Sequence, residues 1–137
     1  MVDTFSQGPP VKIDPPVDDL DIVLVDATRS WVLIATNTTV AREAVTGHRH
    51  ELEAGGLSGR PLFKPSTEIL RTMRRLTKGQ LVLIGVGGVS SGEDAWAKIR
   101  AGASLVQLYT ALVYEGPTLV TRIKRELLAC MKRDNIK

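Results

Sequence analysis

Leu83-Ile84-Gly85-Val86-Gly87-Gly88-Val89-Ser90-Ser91-Gly92-Glu93 is the stretch whose reading decides the fold of this chain. Residues 81–84 form an apolar run that leads straight into a cluster of glycines. A run apolar on both faces is how a strand buried in a parallel sheet reads. Glycines at its end let backbone N–H groups approach a bound group that a Cβ would hold away. A helix starting near Ser91 adds the positive end of its dipole, so strand, turn and helix together form a cradle for an anion, phosphate above all. The plainer alternative is a tight turn between strand and helix with no ligand.

Working outward, Ser66 is placed to cap a helix running to Leu76, with Ile69, Met73 and Leu76 on one stripe and Gly79 beyond its end. Ser90 and Glu93 have the spacing of a capping box for a helix ending at Ala101, with Gly102 following it. Residues 105–109 read as a strand. Pro117 opens a final helix that turns Val120, Ile123, Leu127 and Met131 inward and its basic residues outward. Upstream, residues 31–35 are a buried strand running into Thr36-Asn37-Thr38-Thr39, and residues 11–13 are a short strand stopped by Asp14-Pro15-Pro16. Residues 18–29 fit either a helical face or a strand. Residues 1–10 read as a flexible start without fold content, leaving residues 11–137 as the folded part. A long loop spans residues 41–65, and loops of that length are uncommon in compact domains unless they serve function.

Strands alternating with helices predict an α/β fold of parallel (β/α) units. The number of units fits a small open sheet or the last half of a TIM barrel. Polar residues at successive strand ends favour the barrel: Lys12, Thr36-Asn37-Thr38, Gly87-Gly88 and Tyr109-Thr110. Barrel sites are assembled at that end, with phosphate held by the last loops.

Composition removes other classes. The 137 residues suffice for one domain and are too few for two, and 43% hydrophobic residues predict a packed core. Aromatics at 4% leave no stacking platform for single-stranded nucleic acid, and the net charge of +3 sits largely on helices, where solvated outer faces explain it. No nucleic-acid partner is expected. Cys130, the single cysteine, excludes an internal disulfide and reads as a small core residue. His48 and His50 would need further ligands to hold a metal, and none is expected. No stretch approaches the ~20 apolar residues of a membrane span, and no signal peptide is visible.

Four motifs in order carry a family resemblance: ATNTTV at 35–40, GGLSGRPL at 55–62, LIGVGGVSSGEDAWAKIRAGASLVQLYTAL at 83–112 and GPTLVTRIKREL at 116–127. The chain resembles the C-terminal half of class 2, quinone-linked dihydroorotate dehydrogenase, a flavin enzyme of pyrimidine biosynthesis. LVQLYTAL is closer to the mitochondrial members. The resemblance implies oxidation of dihydroorotate to orotate by FMN, with quinone as electron acceptor and the parent enzyme at the mitochondrial inner membrane.

The resemblance also implies site residues. Lys12, Thr36, Gly59, Gly88, Tyr109 and Thr110 match positions around FMN, with Gly88 and the Tyr109-Thr110 backbone at its phosphate and Lys12 beside the flavin ring. Asn37 and Thr38 match residues that hydrogen-bond the pyrimidine, for which an amide and a hydroxyl offer mixed donors and acceptors. The family's catalytic serine lies on an earlier loop, so no catalytic base is assigned within this sequence. Between Lys12 and Thr36 the chain is shorter than family members and reads Asp14-Pro15-Pro16 where they carry Ala-Pro-Asp. A truncated or lost helix is expected there. A barrel takes roughly 200 residues or more, so half of one leaves edges at residues 11–13 and 105–109 and an uncovered inner face. These residues alone are therefore expected to be inactive and prone to self-association. The competing reading is a non-catalytic half-barrel that binds a phosphate compound or assembles with itself.

Overall fold

A computed structural model of the chain describes residues 22–26 and 31–136. Its elements are β1 (Ile22–Asp26), β2 (Trp31–Ala35), α1 (Phe63–Leu76), β3 (Val82–Gly85), α2 (Gly92–Arg100), β4 (Leu105–Val106), α3 (Thr110–Glu115) and α4 (Thr118–Arg133), with short 3-10 turns at Glu43–Val45 and Arg60–Leu62. The four strands lie in one sheet in chain order. β2, β3 and β4 run parallel, joined by α1 and α2, as the alternating pattern requires. The fold is α/β and corresponds to part of a TIM barrel. The strand expected at residues 11–13, Lys12 and the segment 1–10 lie outside the described residues.

β1 departs from the parallel scheme. It pairs antiparallel with β2, Ile22 opposite Ala35 and Asp26 opposite Trp31. The ambiguity over residues 18–29 is resolved as strand within 22–26. Residues 27–30 are too few for a crossover helix, which needs about a dozen residues, so the two strands can meet only head to tail. The helix expected to be truncated or lost upstream of Thr36 is absent from the described part of that segment.

Two apolar clusters hold the structure. Leu33, Ala35 and Leu83 from the sheet pack against Ile69, Leu70 and Met73 of α1, with Ala101 and Ala103 closing the layer. Val89 and Ala95 pack against Leu119 and Ile123 of α4. Gly92 allows α2 and α4 to touch, because a Cβ there would sit 2.2 Å from Glu126 Cβ. On α4 the inward stripe is rotated from the expected one: Leu119, Ile123 and Cys130 are buried and Val120 is exposed. On α1, Leu70 rather than Leu76 completes the buried stripe.

Helix starts also shift. α1 begins at Phe63, which puts Ser66 inside the helix, where its hydroxyl donates to Leu62 O at 2.6 Å instead of capping. Ser91, one residue past the expected cap, caps α2 by accepting from the Asp94 amide at 3.1 Å. The last strand ends at Val106, and Thr110–Glu115 turns into a short helix that the apolar run Leu108-Tyr109 did not announce.

Candidate functional site

The loops that follow β2, β3 and β4 converge on a cleft of about 770 Å³, roofed by part of the long loop. That volume lies within the range of small-molecule sites, about 300–1,000 Å³. Thr36, Asn37, Thr38, Gly59, Gly88, Tyr109 and Thr110 all line it. The positions selected from strand ends and motifs are thus brought together wherever they can be described, and Lys12 cannot be.

Each wall has a local cause. At the end of β2, Thr36 is buried and its hydroxyl donates to Asn37 O at 3.3 Å, while Asn37 Oδ1 accepts from the Thr38 amide at 2.8 Å. The long loop crosses over this corner at Gly56, where a Cβ would fall 1.9 Å from Thr38 Oγ1. Its Thr39–Leu57 bridge, with amide bonds of 3.1 and 2.7 Å, fixes the crossing. Thr110 Oγ1 then donates to Ser58 Oγ at 3.2 Å and ties the roof to the start of α3.

The floor is the glycine turn. Gly87 and Gly88 have φ of 101° and 72°, a region that side-chain-bearing residues rarely enter. A Cβ on Gly88 would lie 2.6–2.7 Å from Phe63, backbone atoms included, so the start of α1 packs directly under the turn. The Gly87, Gly88 and Val89 amides have no acceptor among the described residues.

The dipole of α2 does not serve the cleft in the manner expected from sequence. Its first turn is occupied by its own side chains: Ser91 takes the Asp94 amide, and Glu126 Oε2 takes the Gly92 amide at 2.6 Å. Asp94 Oδ2 accepts from the Ser90 amide at 3.0 Å, from Ser90 Oγ at 3.1 Å and from Arg60 NH1 at 3.0 Å. Carboxylates there repel an anion. Donors for one are instead the turn amides and the first turn of α3, which has no side-chain cap.

Three residues near the floor were missed by the sequence reading. Arg60 stands in GGLSGRPL beside the selected Gly59, and its charge on the cleft wall was overlooked. Ser66 has the sequence pattern of a helix cap, and that pattern hides its buried contact. Lys98 lies on a helix rich in charged residues, and nothing in the sequence marks it as fully buried. Its Nζ donates to Ser66 Oγ at 2.5 Å and stands 5.4 Å from the centre of the Phe63 ring. Burial lowers its pKa to about 8, with Asp94 opposing that shift and Arg71 adding to it.

A family model for dihydroorotate dehydrogenase matches residues 3–131. The chain belongs to the dihydroorotate dehydrogenase family. It is 52% identical to the mitochondrial dihydroorotate dehydrogenase (quinone) of Oryza sativa subsp. japonica over 96% of the chain and 30% of that protein. The dihydroorotate dehydrogenase (quinone) of Parvibaculum lavamentivorans is 61% identical over 74% of the chain and 29% of that protein. A crystal structure of the Eimeria tenella enzyme in complex with ferulenol superposes with a TM-score of 0.72 at 44% identity, covering 75% of this chain and 27% of that one. The chain thus spans about 30% of the length of these relatives and corresponds to part of a quinone-linked dihydroorotate dehydrogenase. Both mitochondrial and bacterial relatives match it. Among the described residues, no helix is long and apolar enough to cross a membrane.

Proposed function

We propose that this dihydroorotate dehydrogenase chain carries the phosphate end and one pyrimidine-facing wall of an FMN site, in a parent enzyme that oxidises dihydroorotate to orotate and reduces a quinone. The observation that carries this reading is the convergence of Thr36, Asn37, Thr38, Gly59, Gly88, Tyr109 and Thr110 on one cleft. FMN, when bound, would supply the two-electron chemistry, accepting hydride from dihydroorotate and passing electrons on to quinone.

The residues fit such a group. The amides of residues 87–89 and the uncapped start of α3 offer donors to a phosphate, and the positive φ of Gly87 and Gly88 turns the side-chain direction under the turn, toward Ser66 and Phe63. Gly59 lies against Thr110, where a Cβ would come to 3.1 Å of Thr110 Cγ2, so a larger residue would narrow the phosphate end. Asn37 and Thr38 orient the pyrimidine, and Thr36 contacts the flavin. By its match to the family's flavin-side lysine, Lys12 would place a fixed cation by the flavin ring, where negative charge gathers on reduction. The proton-abstracting serine comes from outside these residues, and the parent enzyme acts at the mitochondrial inner membrane.

These 137 residues purified alone are expected to be inactive and colourless, because half a site holds FMN too weakly to retain it through purification. Co-expression with the upstream barrel strands of the rice relative should restore visible flavin absorbance that changes with orotate. A colourless complex that is folded and stoichiometric would sink the FMN assignment. In the flavin-loaded complex, Lys12→Met should slow flavin reduction by roughly two to three orders of magnitude, as loss of a preorganised charge does.

A further inference from the structure

Lys98 and Ser66 are both fully buried, between α2 and α1. Among the described residues the ammonium has one oxygen partner, Ser66 Oγ at 2.5 Å, and one aromatic neighbour, the Phe63 ring. Ser66 donates its single proton to Leu62 O at 2.6 Å, with Phe63 O and Gly87 O both farther away at 3.4 Å. The glycine turn rests directly on this hydroxyl, since a Cβ on Gly87 would lie 2.8 Å from Ser66 Oγ. A continuous path, Lys98 to Ser66 to Gly87, therefore runs from the core to the cleft floor.

A serine beside a lysine is also the pattern of a nucleophile with its base. Here the hydroxyl has no exposed surface and is committed to a carbonyl, so no substrate reaches it. What needs explaining is the charge. A buried ammonium is costly unless paired. The carboxylate that most favours its charged form, Asp94, is already engaged by Arg60 and Ser90. The other charge acting on it, Arg71, is repulsive. An anion seated on the turn above would be its natural counterpart.

We propose that Lys98 is a positioning residue for the anion floor: through Ser66 it holds the Gly87-Gly88 backbone, and its charge beneath the turn strengthens phosphate binding in the cleft. This rests on reading the cleft as the phosphate end of the FMN site.

The test is amide NMR on the full chain, titrated separately with inorganic phosphate, FMN and riboflavin, which lacks the phosphate. In the unsubstituted chain, phosphate and FMN should shift the Gly87 and Gly88 amides. Lys98→Met should weaken both about tenfold while riboflavin binding and the rest of the spectrum stay unchanged. Ser66→Ala, which keeps the charge and cuts the path, should weaken them less and move the Gly87 resonance. Unchanged phosphate and FMN affinity in Lys98→Met overturns the proposal, as does an equal loss for riboflavin, which marks a merely structural lysine. Should Lys98→Met not fold, Ser66→Ala decides, and unchanged FMN affinity with an unmoved Gly87 resonance overturns it. No phosphate response in the unsubstituted chain overturns the cleft reading itself, and the role of Lys98 with it.

Discussion

On one face of the sheet Leu33, Ala35 and Leu83 are sealed beneath α1, while on the other Val82 is 38% exposed and Val32, Ile34 and Ile84 are only half covered. Both sets are apolar, so the sequence alone reads these strands as buried on both sides. The difference lies in what covers them. α1 and α2 return over one face because parallel strands require a crossover, and nothing among the described residues returns over the other. In a closed barrel the open face would be the packed interior. Helix-covered positions should therefore behave as core in this chain, and open-face positions should become core only when the remaining strands are present.

The largest test of that contrast is Leu83→Ala. Leu83 is fully buried, so denaturant unfolding should show a loss of about 2–5 kcal/mol. A loss below 1 kcal/mol would mean that the covered face is not a formed core. Next is Gly88→Ala, which forces a Cβ onto the Phe63 backbone at a φ of 72°. It should cost roughly 1–3 kcal/mol and lower FMN affinity, whereas a neutral effect would show that the turn is free to relax away from α1.

The third test uses pH. Burial holds Lys98 at about 8 in the folded chain against the ordinary lysine value of 10.5. Below pH 8 both states carry the proton and the burial penalty is fully present. Between about 8 and 10.5 the folded chain has released a proton that the unfolded chain keeps, so this group makes stability rise with pH. Cys130, whose thiol burial raises, acts in the opposite direction. The rise attributable to Lys98 is therefore the difference between unsubstituted and Lys98→Met chains, and identical pH profiles would contradict it.

Smaller still is Ser91→Ala, which removes the cap on the Asp94 amide and should cost about 1 kcal/mol in the same unfolding assay. Smallest is Val82→Ala on the open face. It should cost under about 1 kcal/mol in this chain and clearly more in a complex with the upstream strands. Equal costs in the two settings would break the comparison.

The features legible in the sequence were those set by short-range pattern. Residues 81–84 with their glycines, the existence of helices α1 and α4, and Gly79 and Gly102 past helix ends all depend on neighbours within a few residues. What was not legible depends on contacts between distant segments. Ser66 has the chemistry of a cap, but Arg60–Leu62 starts the helical path earlier and turns its hydroxyl onto Leu62 O. The α2 dipole looked available until Glu126, from α4, was found on the Gly92 amide. Lys98 is indistinguishable in sequence from its solvated neighbour Arg100, and only the packing of α2 on α1 buries it. The antiparallel β1 follows from loop length, a constraint that apolar periodicity does not encode. At the cleft, motif and strand-end positions marked the lining residues, whereas Arg60 only adjoins the marked Gly59 and Lys98 reaches the turn through Ser66.

The most direct measurement is a crystal structure of the chain soaked with FMN. The account predicts phosphate oxygens within hydrogen-bonding distance of the Gly88 and Thr110 amides, on the floor above Ser66. A phosphate seated elsewhere, for example at the start of α2 beside Asp94 and Glu126, would contradict it.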